Sequence, residues 1–305
     1  MRTSLLGLSG LMLMACGPAV AAMDAGTDAS RPDTGPTDLV IGSAERPARV
    51  VFPSAHDGTT ELPLVILLHG YTVTSTIQNV YFQLTQRART RGFYVLLADG
   101  TVDAGGSQFW NATDACCDLG GTGVDDVGYL TGLLDEAEAA LPIDTNRIYF
   151  LGHSNGGFMS YRMACEIGDR IAAIASLAGS DFEADDTCVP DSAPSVLQIH
   201  GTADETIAYT GGVISAASFP AATAVVERWA ARAGCDVTMP TTGTPFDFMS
   251  ALPGDETVVT DYVTGCTEGR GASLWTIEGG GHIPGVIQPA FTNAIIDWLM
   301  AHPRG

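Results

Sequence analysis

Residues 146–157 read Asn-Arg-Ile-Tyr-Phe-Leu-Gly-His-Ser-Asn-Gly-Gly. Ile148 to Leu151 is a short apolar run, aromatic and β-branched, that reads as a buried strand, and the segment after it reads as a helix. Between them Gly152-His153-Ser154-Asn155-Gly156 spells G-x-S-x-G. A strand reversing sharply into a helix leaves no room for side chains at the two glycines and forces the middle residue into strained backbone geometry, which lifts the Ser154 hydroxyl clear of the sheet.

Outward from this turn the chain alternates. Val50 to Phe52, Leu64 to Leu68 and Phe93 to Ala98 read as strands, the second apolar throughout as in a strand buried on both faces. Asp125 or Asp126 caps a helix carrying Val127, Leu130, Leu134 and Leu141, with Pro142 beyond its end. Downstream, Ile171 to Leu177, Val196 to Ile199, Thr257 to Val263 and Leu274 to Ile277 read as strands. Pro220 to Ala233, stopped by Gly234, and about Pro289 to Met300 read as helices. The pattern predicts one α/β domain over 41–305: a mostly parallel sheet with helices on both faces, binding its ligand at the carboxyl ends of the strands.

Ahead of that domain, Met1-Arg2-Thr3 and the apolar run Ser4 to Ala15 have the form of a secretory signal within residues 1–22. Leu13-Met14-Ala15-Cys16 resembles the lipobox of bacterial lipoproteins, with Cys16 as the lipidated residue; Ala19-Val20-Ala21 offers ordinary cleavage after Ala21. Residues 23–40 hold little that can be buried and read as a disordered acidic linker. The chain is expected to be exported, and to meet a membrane only through a lipid at Cys16. Cys116, Cys117, Cys165, Cys188, Cys235 and Cys266 remain for the folded part, an even set that suits disulfides in an exported protein.

The formal charge is −21, and every basic residue is Arg. Such a surface repels phosphate backbones, so no nucleic acid partner is expected. Without Lys, neither a Schiff base nor a P-loop lysine can be made. The sequence has no Gly-rich dinucleotide loop, His-Glu-x-x-His or Cys-x-x-Cys, so neither a cofactor nor a metal is expected.

A serine hydroxyl needs a base to take its proton, and that base needs a carboxylate to orient it. In α/β-hydrolases the order is Ser, then Asp or Glu, then His. Of the histidines after Ser154, His302 lies at the end of the last helix and His200 at a strand tip, where a structural role is expected. His282 follows the Leu274 to Ile277 strand in Glu-Gly-Gly-Gly-His and is assigned as base. For the acid, Asp204 in His-Gly-Thr-Ala-Asp is preferred over Asp181 in Ala-Gly-Ser-Asp. The backbone N–H groups of Tyr71 and Asn155 are expected to form the oxyanion hole.

Seven blocks stand in order: Pro-Leu-Val-Ile-Leu-Leu-His-Gly (63–70), Phe-Trp-Asn (109–111) with Cys116-Cys117, Val-Asp-Asp-Val-Gly (124–128), Gly-His-Ser-Asn-Gly-Gly (152–157), His-Gly-Thr-Ala-Asp (200–204), Tyr-Thr-Gly-Gly (209–212) and Gly-Gly-Gly-His (279–282). Together they resemble the polyhydroxybutyrate depolymerase and feruloyl esterase family of secreted α/β-hydrolases. The resemblance implies the α/β-hydrolase fold, Ser154 as nucleophile, Asp204 as acid and His282 as base. It also implies that Trp110 and Tyr209 lie near the substrate, that Cys165–Cys188 and Cys235–Cys266 pair, and that Cys116 and Cys117 bond to each other or stay reduced. Ile283 stands where family members often have Trp beside the base, so the pocket there is expected to be more open.

The function expected is an exported, monomeric serine esterase acting on a small ester, a plant-wall ester or a polyester. A peptidase of the same fold and a catalytically silent surface binding protein are the alternatives.

Overall fold

The computed structural model describes residues 38–267 and 269–305. The signal segment, both processing sites and the linker up to residue 37 lie outside the described residues. In chain order the strands are β1 (Asp38–Gly42), β2 (Pro47–Val51), β3 (Leu62–Leu68), β4 (Tyr94–Leu97), β5 (Thr101–Val102), β6 (Gln108–Phe109), β7 (Ile143–His153), β8 (Ala173–Leu177), β9 (Ser195–Gly201), β10 (Gly212–Ile214), β11 (Ala217–Phe219), β12 (Thr241–Thr242), β13 (Thr257–Tyr262) and β14 (Ala272–Ile277). The helices are α1 (Ser75–Phe82), α2 (Leu84–Arg91), α3 (Asp126–Ala140), α4 (Asn155–Glu166), α5 (Ala222–Arg232) and α6 (Ala290–Met300).

Ten strands form one sheet in the order β1-β2-β4-β3-β7-β8-β9-β14-β13-β12. Its centre, β4-β3-β7-β8-β9-β14, is parallel throughout, and both edges are antiparallel. In β3, successive residues serve opposite faces. Ile66 and Leu68 join a core with α3, α4 and α5, whereas Val65 and Leu67 join a second core with α1, α2 and α6. This explains the unbroken apolar run, since a strand covered on both sides has no solvent face. Asp125 caps α3, its carboxylate accepting from the Gly128 amide at 2.8 Å.

The linker expected over 23–40 ends earlier than its composition suggests. Asp38–Gly42 is β1, paired antiparallel with β2, with Ile41 buried and Val40 exposed. One edge pairing suffices for a strand whose alternate residues face solvent. Helices α1 and α2 and the β5–β6 and β10–β11 hairpins were not legible either. α2 buries only Leu84 and Ala88, too little to show a periodicity.

Three disulfides join Cys116 to Cys117, Cys165 to Cys188 and Cys235 to Cys266. Among the described residues no helix is long and apolar enough to cross a membrane.

Candidate active site

Ser154 sits at the carboxyl end of β7, one of the two middle strands of the sheet, and immediately before α4. Its backbone has φ 55° and ψ −120°, a conformation that costs a side-chain-bearing residue on the order of 1–3 kcal/mol. The flanking glycines are required by space: a Cβ on Gly152 would overlap the Gly156 carbonyl, and one on Gly156 the Leu68 carbonyl. The Ser154 amide is tied to the Leu177 carbonyl on β8 at 2.8 Å.

From Ser154 an unbroken chain of hydrogen bonds runs to Asp204. His282 Nε2 lies 2.9 Å from Ser154 Oγ, and His282 Nδ1 lies 2.8 Å from Asp204 Oδ2. The ionised carboxylate only accepts, so Nδ1 carries the proton and Nε2 is free to accept from the serine. Asp204 Oδ1 accepts the amides of Thr206 and Ile207, both at 2.9 Å. Burial alone would raise the Asp204 pKa, but hydrogen bonds from His200, His282 and the Ile207 amide outweigh it and hold the carboxylate below its usual range.

His200 is the structural histidine expected at that strand tip. The Gln198 amide donates to the Gly179 carbonyl at 2.8 Å and to His200 Nδ1 at 3.0 Å. His200 Nε2 therefore carries the ring proton, which points at the Ile207 carbonyl at 2.7 Å with Asp204 Oδ2 3.4 Å away. The base loop is bound to the acid loop as well, the Ala203 amide donating to the Gly280 carbonyl at 2.9 Å and the Gly279 amide to Thr202 Oγ1 at 2.8 Å.

On the other side of Ser154 the backbone is arranged by buried side chains. His69 Nε2 accepts the Gly100 amide at 2.8 Å, which leaves the proton on Nδ1, where it meets the Gly70 carbonyl at 2.8 Å. Gly70 C=O and Tyr71 N–H belong to one peptide plane and point in opposite directions, so anchoring the carbonyl on His69 aims the amide away from it. A Cβ on Gly70 would lie 3.5 Å from Ser154 Cβ, so this peptide runs beside the serine. Asn155 opens α4, where first-turn amides have no intrahelical acceptor. Its side chain brackets Trp110, accepting from the Trp110 amide at 2.7 Å and donating to the Trp110 carbonyl at 2.9 Å.

The structure gives Trp110 and Tyr209, expected near the substrate, supporting contacts inside the protein. Trp110 is fully buried: its indole N–H donates to the His69 carbonyl at 3.1 Å and its ring packs on the His69 ring at 5.0 Å. It braces the Gly70–Tyr71 turn from behind. Tyr209 is half-buried, stands edge-on to His200 at 5.7 Å, and is bonded to Thr276 Oγ1 at 3.0 Å, so it supports the acid loop. Ile283 is 66% exposed beside His282 and sits on the rim. Tyr71 is half-buried, with its hydroxyl donating to Asp103 at 2.8 Å.

The rival acid is elsewhere. Asp181 Oδ2 accepts from Trp229 Nε1 at 2.9 Å and pairs with Arg232 at 3.3 Å. Cys165, Asp181 and Cys188 lie together in a metal-like group, but the two sulfurs are already joined as a disulfide. The cavity of about 710 Å³ lined by Asp185, Asp191, Arg232 and Arg270 precedes β9 and β14, at the end of the sheet opposite Ser154. Sequence reasoning missed His153 and Tyr81, whose rings stack at 5.9 Å; the His153 ring also packs on His282 at 5.1 Å.

A doubly covered parallel sheet with a serine elbow on a middle strand defines the α/β-hydrolase class. An acetyl xylan esterase from Aspergillus awamori superposes with a TM-score of 0.60 at 14% identity, over 87% of this chain and 100% of that one. A thermostable esterase gives 0.57 at 15% identity, over 88% and 63%. No protein-family model matches. Within the class, the chain is similar in sequence to a feruloyl esterase and to a second esterase. It is 30% identical over 244 residues to feruloyl esterase B of Piromyces equi, covering 77% of this chain and 42% of that protein. It is 26% identical over 257 residues to the putative esterase NocK of Nocardia uniformis subsp. tsuyamanensis, covering 80% and 72%. The chain thus spans less than half the length of the feruloyl esterase it matches.

Proposed function

We propose that the chain is an exported serine esterase that cleaves carboxylic esters through an acyl-enzyme. The observation that carries this reading is the unbroken path Ser154 Oγ, His282, Asp204, with separations of 2.9 and 2.8 Å. Ser154 Oγ attacks the ester carbonyl carbon while its proton passes to His282 Nε2. Asp204 stabilises the imidazolium, and the Tyr71 and Asn155 amides receive the oxyanion. His282 then protonates the leaving alcohol oxygen as the C–O bond breaks. Water, deprotonated by His282, hydrolyses the acyl-Ser154 and restores the serine.

The relatives' names point to feruloyl or acetyl esters of plant-wall polysaccharides; the sequence resemblance adds a hydroxybutyrate polyester. The exposed apolar side chains of Ile283 and Ile287, on the loop that carries His282, fit an apolar acyl or aryl group. No observation favours the peptidase or the silent binding protein. Three disulfides suit an oxidising, exported setting, and we propose a lipid anchor at Cys16: Cys16→Ala should move the protein from membranes to the medium.

Ser154→Ala should reduce ester hydrolysis on the order of 10⁶-fold. A panel of p-nitrophenyl esters, methyl ferulate, acetylated xylan, hydroxybutyrate oligomers and a peptide anilide ranks the substrates. Full activity in Ser154→Ala would sink the reading.

A further inference from the structure

His153 fills the variable position of the elbow, directly before Ser154, and takes no part in the chemistry above. It is 6% exposed and ends β7. Its Nε2 lies 3.0 Å from the backbone carbonyl of His282, 129 residues on. A carbonyl only accepts, so Nε2 carries the ring proton. Burial drives the His153 pKa down to about 4, and the ring is neutral at ordinary pH. Tyr81, on α1, stacks on this ring and donates its hydroxyl to the Pro284 carbonyl at 2.9 Å.

These two bonds fall where the base loop is otherwise weakly held. Gly279, Gly280 and Gly281 precede His282, and a Cβ at Gly281 would meet nothing within 4 Å. The loop is tied down at Gly280 by the Ala203 amide and at Ile287 by the Phe248 carbonyl. Between those points, among the described residues, the backbone groups held from outside the loop are the carbonyls of His282 and Pro284, one gripped from β7 and the other from α1. Fixing the carbonyls on either side of Ile283 fixes the direction in which the imidazole of His282 leaves the backbone.

We propose that His153 is a positioning residue for the base: together with Tyr81 it clamps the backbone of residues 282–284, so that His282 Nε2 meets the Ser154 hydroxyl already aligned. The inference rests on the reading of Ser154, His282 and Asp204 as catalytic groups. A neutral ring suits the place, because a cation 5.1 Å from His282 would oppose the imidazolium that forms there during turnover.

His153→Phe keeps a ring for the stack and removes the donor; His153→Gln returns an amide N–H near the Nε2 position. In His153→Phe, kcat should fall about 10–100-fold with KM changed less than about twofold, the cost of a misaligned catalytic group. Covalent labelling of Ser154 by a small fluorophosphonate should slow by the same factor. His153→Gln should recover to within about threefold of wild type, and Tyr81→Phe should show a smaller loss of the same kind. The Nδ1 proton of His282, observed by NMR, should stay sharp in wild type and His153→Gln and broaden in His153→Phe.

Unchanged kcat and labelling in a folded His153→Phe would overturn the inference. So would a loss that His153→Gln leaves unrepaired while melting temperature drops equally in both, because that is the mark of packing alone. If His153→Phe does not fold, a Tyr81→Phe variant with wild-type labelling overturns it. Wild-type protein that fails to label would overturn the hydrolase reading itself, whereas wild type that labels beside an equally reactive His153→Phe overturns this inference alone.

Discussion

Asp181 and Asp204 hold equivalent places, each a few residues beyond the end of a parallel strand on the side of the sheet where Ser154 lies, yet they are different chemical groups. Asp181 faces an indole N–H and a guanidinium, donors that keep their protons at any working pH. Burial raises its pKa more than those partners lower it. Asp204 faces two imidazoles and two amides, which hold it ionised. Only the second arrangement leaves a titratable partner, His282, between the carboxylate and a hydroxyl. What separates the proposed acid from a structural anion is therefore the nature of the neighbouring donor.

The sharpest way to break this comparison is to neutralise each carboxylate. In Asp204→Asn, the amide oxygen can keep the Thr206 and Ile207 amides, which turns the NH₂ toward His282 Nδ1. That forces the ring proton to Nε2, where it cannot accept from Ser154. We expect kcat to fall about 10⁴-fold, the scale found when the corresponding carboxylate of a serine protease is neutralised. Circular dichroism should stay unchanged. A loss of under tenfold would reverse the assignment.

Acid should find the two sites unequal. His153 is neutral in the fold, with a pKa of about 4, and burial lowers His69 in the same direction. A histidine whose folded pKa lies below its unfolded value contributes fully above the unfolded pKa, near 6.5. The contribution is lost as pH falls toward the folded value and changes no further below it. Asp204, with its pKa depressed, begins to lose its contribution only below the ordinary carboxylate range. Stability should thus decline between about pH 6.5 and 4, by up to about 3 kcal/mol from His153 alone. Melting curves should show the decline, and His153→Gln should flatten it. A wild-type profile level across that window would contradict a buried neutral His153.

Asp181→Asn is the milder partner experiment. Burial already disfavours the charge, so losing it costs little by itself. The amide NH₂, however, would meet the donors of either Trp229 and Arg232 or the Phe182 backbone, leaving one donor without an acceptor. We expect a loss of about 1–3 kcal/mol in chemical denaturation, with kcat within about threefold of wild type. A fall in kcat matching that of Asp204→Asn would remove the distinction.

How much of this was legible follows from the range of each signal. The Ser154 elbow is local: two glycines, a strand and a helix within a dozen residues. Asp204 and His282 were reachable because each ends a strand whose order along the chain is known for the class. Trp110 is placed near the substrate only through the family resemblance, and its packing behind His69 was not legible, because no sequence pattern marks which face of a turn a ring supports. His153 was invisible for a different reason. Its partner is a backbone carbonyl, which leaves no residue type to look for. The β5–β6 hairpin, only two residues a side, escaped likewise, although its Gln108 carbonyl accepts the Thr72 amide at 2.9 Å and so helps to set the Gly70–Tyr71 turn.

The smallest expected effect concerns the exposed end of the Asp204–His282 side. Ile283 has its two neighbouring carbonyls held inward by His153 and Tyr81, while its own side chain is 66% exposed. A Trp here would enlarge the exposed apolar surface beside His282. Burial of ring area against a bound aryl or long acyl group adds on the order of 25 cal/mol per Å², and a rim position buries only part of the ring. Ile283→Trp should therefore raise kcat/KM for methyl ferulate relative to a p-nitrophenyl acetate by less than about fivefold, near 1 kcal/mol. Fluorophosphonate labelling of Ser154 should be unaltered, because the elbow, the base and its clamp are untouched. A shift of a hundredfold in substrate ranking would mean that residue 283 folds over the bound ester, and a slowed labelling rate would mean that the side chain, and not only its flanking carbonyls, helps to place His282.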